Sequence, residues 1–129
     1  MKGKMLIEIR WHGRGGQGIV SVSRLLAEAA LLDKKYVQSF PEFGPERSGA
    51  PVRGSTRISD EPISIHSQIY NPSIVVVVDP TLLSSTVAPG MPENGAIIAN
   101  TERTPEELKK ILSVKNNRVY SVNARRIAL

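Results

Sequence analysis

Hydrophobic residues along the chain keep changing their spacing, and each change marks an element. Met5-Leu-Ile-Glu-Ile-Arg-Trp11 is apolar and β-branched and reads as a first strand. From Gly18 the spacing turns helical, with Val22, Leu25, Leu26, Ala29 and Leu32 on one face. Asp33-Lys34-Lys35 ends that helix, where cations suit the C-terminal dipole. Tyr36-Val-Gln-Ser-Phe40 reads as a second strand, and Pro41 to Pro51 as a loop. Val52 to Ser59 alternates: Val52, Gly54, Thr56 and Ile58 share one face, Arg53, Ser55 and Arg57 the other. After the turn Asp60-Glu61-Pro62, Ile63 to His66 is expected to pair back as a short hairpin partner. Ile74-Val-Val-Val-Val78 is a continuous β-branched run, the pattern of a central parallel strand buried on both faces. Thr81 to Val87 reads as a short helix and Gly95 to Asn100 as a strand. Thr104, Pro105 and Glu107 form a helix start of N-cap, first-turn proline and capping-box acid, and the helix runs to Leu112. Arg118 to Val122 is the last strand, and Asn123 caps a helix beginning at Ala124.

The order β-α-β, a β insertion, then β-α-β-α-β-α predicts a doubly wound, Rossmann-like α/β fold. Its sheet is mostly parallel, with helices on both faces. A length of 129 residues fits a single domain spanning 1–129. The last expected helix is cut within its first turn, so a truncated C-terminus is expected. No apolar run reaches the length of a membrane span. Met1-Lys2-Gly3-Lys4 is basic, but charged Glu8 and Arg10 soon follow, which makes a poor secretory signal. A cytoplasmic protein is expected.

Composition narrows the chemistry. The chain has no cysteine, which excludes disulfides, thiol catalysis and an iron–sulfur cluster held by its own thiolates. His12 and His66 are too few and too isolated for a zinc site. No Ser-His-Asp order and no paired carboxylates appear, so no catalytic residue is assigned. The net charge of +5 suits phosphates or an acidic partner. Only 5% of residues are aromatic and no recognition motif is present, which argues against nucleic acid.

The main motif is His12-Gly13-Arg14-Gly15-Gly16-Gln17-Gly18, a Gly-x-Gly-x-x-Gly loop between a strand and a helix. Glycine permits a tight turn and close approach of a ligand. The free N–H groups of the following helix attract an anion, and Arg14 can add a charged contact. The competing reading is a packing turn that binds nothing. A dinucleotide site needs an acid at the end of the second strand, and Glu42 is late for it. A second loop, Phe43-Gly44-Pro45-Glu46-Arg47-Ser48-Gly49, presents an adjacent charge pair, for a ligand or simply for solvent. Arg53 and Arg57 share a strand face that reads either as solvated or as functional. His66 reads as a surface residue. Asp79 ends the buried strand, as a ligand group or as a helix cap.

Taken in order, Gly13-Arg-Gly-Gly-Gln-Gly18, Tyr36-Val37, Glu42-Phe-Gly-Pro-Glu-Arg-Ser-Gly49 and Arg57-Ile-Ser59 resemble the gamma subunits of pyruvate:ferredoxin oxidoreductases. That domain recurs across the 2-oxoacid:ferredoxin oxidoreductases. The likeness extends to Asp79 and Asn123-Ala-Arg-Arg-Ile-Ala128, while Phe43 stands where tyrosine is common. The resemblance implies an enzyme that decarboxylates a 2-oxoacid, pyruvate by family likeness, on thiamine diphosphate with Mg. Electrons then pass through iron–sulfur clusters to ferredoxin, and an acyl-CoA is released. It implies that alpha, beta and delta subunits hold those cofactors and that this chain is inactive alone. Carried over, Gly13, Arg14, Gly15, Gly16, Gln17 and Gly18 form a cofactor-facing loop, and Glu46 and Arg47 face the active-site side. Either loop is then a candidate for the coenzyme A phosphates. A stand-alone nucleotide-binding oxidoreductase and a non-catalytic interaction module are the alternatives.

Overall fold

The computed structural model describes residues 5–42, 49–88 and 90–128. The strands are β1 (Leu6–Arg14), β2 (Tyr36–Glu42), β3 (Pro51–Ser59), β4 (Ile74–Val77), β5 (Ala96–Asn100) and β6 (Arg118–Val122). The helices are α1 (Ile19–Leu32), α2 (Pro105–Leu112) and α3 (Ala124–Ala128). The six strands form one sheet in the order β2-β3-β1-β4-β5-β6. β1, β4, β5 and β6 run parallel, whereas β3 is antiparallel to both β1 and β2. The β insertion is therefore β3, wedged between the strand that starts the β1-α1-β2 crossover and the strand that ends it.

β4 divides the interior. Val75 and Val77 pack with Ile97, Ala99, Leu108, Leu112 and Val119 under α2. Ile74, Val76 and Val78 pack with Ile9, Trp11, Ile19 and Ile58 under α1. The period of two sends alternate side chains into separate cores, so α1 and α2 cover opposite faces. α1 sits close to the sheet because two of the three residues it buries, Ser23 and Ala27, are small. Trp11 Nε1 donates to Thr56 Oγ1 (3.1 Å), which donates to the Ser23 carbonyl (3.0 Å), so these buried polar groups are partnered. α2 begins as expected: Thr104 Oγ1 accepts from the Glu107 amide (3.2 Å), with Pro105 in the first turn. Leu108 and Leu112 are almost fully buried, each worth about 1.5–3 kcal/mol of transfer free energy. Asn123 Oδ1 accepts from the Arg126 amide (3.0 Å) and caps α3.

Three expectations are corrected. Ile63 to His66 is irregular and forms no strand. Both edges of β3 are already taken, by β1 and β2, so no ladder is open to it. The segment instead runs beside β2, where Gln38 Nε2 donates to the Ile65 carbonyl (2.8 Å). The stretch after Asp79 forms two 3-10 turns, Pro80–Leu82 and Ser85–Val87. The arginine face of β3 is solvated only in part: Arg53 is exposed, whereas Arg57 is not. Arg57 is 1% exposed, pairs with Glu8 Oε2 (2.8 Å), donates to the Gln68 carbonyl (3.1 Å) and lies over the Phe40 ring.

Candidate functional site

The glycine loop joins the end of β1 to α1, at the carboxyl ends of the parallel strands, where open α/β sheets gather ligands. Its glycines differ in role. A methyl group on Gly13 would collide with Ile19 Cδ1, so Gly13 serves close packing. Gly16 (φ 90°) and Gly18 (φ 74°) adopt left-handed conformations that side chains disfavour. Gly18 is the N-cap of α1 and offers no side-chain acceptor. The first intrahelical bond runs from Val22 N to Gly18 O (2.8 Å), so the Ile19, Val20 and Ser21 amides precede the hydrogen-bonded turn. Those groups border a cleft of about 240 Å³, lined by Arg14, Gly15, Gly16, Gly18, Ser21 and Val52, among others. Unbonded amides and the positive end of a helix dipole suit an anion of phosphate or carboxylate type.

The loop is held by its own polar side chains. Gln17 Oε1 accepts from the Arg14 amide (2.8 Å), and Gln17 Nε2 donates to Asp79 Oδ2 (2.7 Å). Arg14 donates from Nε to Thr81 Oγ1 (3.1 Å) and lies 3.5 Å from Asp79 Oδ2. Asp79 also accepts at Oδ1 from the Thr81 amide (2.8 Å) and hydroxyl (2.6 Å). The Thr81 hydroxyl and amide, then Gln17 and Arg14, hold the Asp79 carboxyl below the usual carboxylate range against the effect of burial. Asp79 thus caps the 3-10 turn, as the second of its two readings expects, and also anchors the loop.

The second motif approaches the first. Gly15 N donates to the Ala50 carbonyl (2.8 Å), Gly49 N to the Gly15 carbonyl (3.3 Å), and Arg14 Nη1 to the Gly49 carbonyl (3.0 Å). Glu46 and Arg47 lie outside the described residues; the end of their loop at Gly49 and Ala50 is tied directly to the glycine loop. Glu42, the candidate ribose acid, is buried and ion-paired with Arg53, two strands away from β1. A dinucleotide fingerprint places that acid on the strand next to β1, so the glycine loop here lacks it.

A charged row on β1 escaped the sequence reading. Arg10 and His12 are almost fully buried on the face opposite Ile9 and Trp11. Arg10 donates from Nε to His12 Nε2 (3.1 Å) and from Nη2 to the Val87 carbonyl (2.8 Å). Burial, then the Arg10 and Arg53 charges, pushes the His12 imidazole down to about 3, so it is neutral at neutral pH. The signal was present: Glu8, Arg10, His12 and Arg14 alternate with apolar residues along one strand. Among the described residues no group of three or more His, Asp or Glu is placed to hold a metal ion. No described helix is long and apolar enough to cross a membrane.

Comparison with known proteins adds the following. The pyruvate ferredoxin/flavodoxin oxidoreductase family matches residues 8–129. The pyruvate/ketoisovalerate oxidoreductases common subunit gamma of Thermococcus litoralis is 54% identical over 125 residues, 96% of this chain and 68% of that protein. Pyruvate synthase subunit PorC of Thermotoga maritima is 49% identical over 126 residues, 98% of this chain and 65% of that protein. A crystal structure of the Thermotoga maritima subunit superposes with a TM-score of 0.86 at 47% identity, covering 96% of this chain and 65% of that one. A 2-oxoglutarate:ferredoxin oxidoreductase from Magnetococcus marinus shares the fold, with a TM-score of 0.77 at 18% identity over 98% of this chain and 21% of that one. The chain thus spans about two thirds of the length of its similar single-subunit relatives.

Proposed function

The chain belongs to the pyruvate ferredoxin/flavodoxin oxidoreductase family, and from that premise we propose that it is the gamma subunit of a 2-oxoacid:ferredoxin oxidoreductase, most naturally one that converts pyruvate to acetyl-CoA. The observation that carries this is 54% identity to a gamma subunit across 96% of the chain. Thiamine diphosphate with Mg and the iron–sulfur clusters sit on alpha, beta and delta partners in this reading. The donor set supports that division. With no cysteine there is no thiolate for a cluster. No step of decarboxylation or electron transfer is assigned to this chain's own residues.

Its own residues bind and position. The α1 N-terminus and Arg14 offer donors to a phosphate of coenzyme A at the glycine-loop cleft, and Arg47 of the second motif is a further candidate donor. Gly13, Gln17 and Asp79 hold that loop in shape rather than touch the ligand. The alternative of a free-standing dinucleotide enzyme is disfavoured, because Glu42 is committed to Arg53.

Two experiments test the two layers separately. Purification from the source cell tests the subunit reading: co-elution with thiamine- and cluster-bearing chains is expected, and isolation as a lone chain overturns it. In that complex, Ser21→Glu places a carboxylate on the first turn of α1. It adds about 0.3–1 kcal/mol of helix stability through the dipole. It also occupies the anion cleft, so KM for coenzyme A rises while Tm does not fall. Arg47→Ala raises the same KM by about 1–3 kcal/mol equivalent, the scale of a charge-assisted hydrogen bond. An unchanged KM in both variants removes coenzyme A from this site without touching family membership.

A further inference from the structure

Arg14, Gln17, Asp79 and Thr81 interlock, and of the four only Arg14 lines the glycine-loop cleft. Asp79 fixes the direction of the hydrogen bonds among them. An ionised carboxylate only accepts, and its lowered pKa keeps Asp79 ionised at neutral pH. The Gln17 amide nitrogen must therefore face Asp79 Oδ2 (2.7 Å), which turns Gln17 Oε1 toward the Arg14 amide (2.8 Å). The single Thr81 hydroxyl proton likewise goes to Asp79 Oδ1 (2.6 Å), which leaves a lone pair for Arg14 Nε–H (3.1 Å). One carboxylate thus orients both ends of Arg14, the backbone through Gln17 and the guanidinium through Thr81.

The Gly49 carbonyl takes a further bond from Arg14 Nη1 (3.0 Å). Arg14 Nη2 has no hydrogen-bond partner among the described residues, and the side chain is 32% exposed. A long side chain already held at Nε and Nη1 has lost much of the freedom that binding would otherwise cost. Its remaining N–H groups meet an anion in a set geometry. Asp79 also lies 3.5 Å from Arg14 Nε, so its charge alone opposes an anion in the cleft. Charge and geometry therefore predict opposite signs when Asp79 is neutralised.

We propose, on the coenzyme A reading of this cleft, that Asp79 is a positioning residue: through Gln17 and Thr81 it sets the geometry in which Arg14 meets a phosphate of that co-substrate. Gln17 and Thr81 carry the orientation, and neither touches the ligand.

Steady-state kinetics of the purified complex test this. Arg14→Gln is expected to raise KM for coenzyme A about tenfold, the scale of one charge-assisted hydrogen bond. Asp79→Asn should raise that KM several-fold while kcat and KM for the 2-oxoacid hold, although it removes a negative charge beside Arg14. Whichever way the new amide turns, its nitrogen faces the Thr81 N–H or the Gln17 amide nitrogen. Adding Gln17→Glu to Asp79→Asn returns an acceptor to both the new amide and the Arg14 N–H at the parent's net charge, and should bring KM back toward the parent value. Thr81→Val keeps the carboxylate and should also raise KM, whereas Thr81→Ser should not; this pair decides the matter if Asp79→Asn fails to fold. Suppose Arg14→Gln raises KM. An unchanged or lowered KM in Asp79→Asn, a double variant no better than Asp79→Asn alone, or equal KM values in Thr81→Val and the parent then overturns the positioning role and leaves coenzyme A at the cleft. An unchanged KM in Arg14→Gln overturns both.

Discussion

A methyl group on Gly13 would enter the space held by Ile19 Cδ1, and Ile19 is 2% exposed with little room to move. Gly13→Ala is expected to destabilise the chain by about 1–3 kcal/mol, the usual cost of overpacking. Ile19→Val in the same chain should recover part of that loss, measured by urea denaturation of both variants. His12 leads to a pH prediction. Its folded pKa, near 3, lies below the ordinary histidine value of 6.5. The unfolded chain therefore binds more protons between those values. Stability is fully present above about pH 6.5 and falls as pH drops toward 3, by up to about 1.4 kcal/mol per unit. His12→Gln keeps an acceptor for Arg10 without a titrating group, so a plot of stability against pH should flatten in that window. Asp79, whose folded value is lowered, acts at the acid end. Its contribution is present above the ordinary carboxylate pKa and is lost as pH falls through the folded one.

At the scale of elements, the strongest dependence is that of the β3–β4 connection on Arg57. The buried Arg57–Glu8 pair and the bond to the Gln68 carbonyl fasten that segment across the polar face of the sheet. Arg57→Ala strands Glu8 and is expected to cost about 3–5 kcal/mol, whereas replacing both residues by methionine should recover much of it. Thr104→Ala removes the α2 cap and should cost about 1 kcal/mol in a thermal melt. Elements written in local pattern were legible in the sequence. β4 announced itself by an unbroken β-branched run, and α2 by its capping box. What failed to show depends on pieces far apart in the chain. Ile63 to His66 has strand-like composition, but whether an edge is open to it is decided by topology. Local pattern gives no sign that Arg10 and Arg57 are buried, because their partners, Val87 and Glu8, lie 77 and 49 residues away. The glycine loop was legible as a tight turn between a strand and a helix. Its fastening to Asp79, 62 residues from Gln17, was not.

At the scale of the molecule, Gly49 and Ala50, at the end of the second motif's loop, are hydrogen-bonded to the glycine loop at one corner of the sheet. That corner lies beside the carboxyl ends of β1 and β4. The division of the interior by β4 has a further consequence, which concerns cooperativity. Among the described residues, β4 sends side chains into both cores: Val75 and Val77 into one, Ile74, Val76 and Val78 into the other. Neither half can lose its packing without loosening the strand that forms the floor of the other. The chain should then melt in a single transition rather than as two halves. The amides of Val75, Val76 and Val77 should be among the slowest to exchange with deuterium, opening only with the whole molecule. Val75→Ala, made in one core, should speed amide exchange in α1, across the sheet in the other.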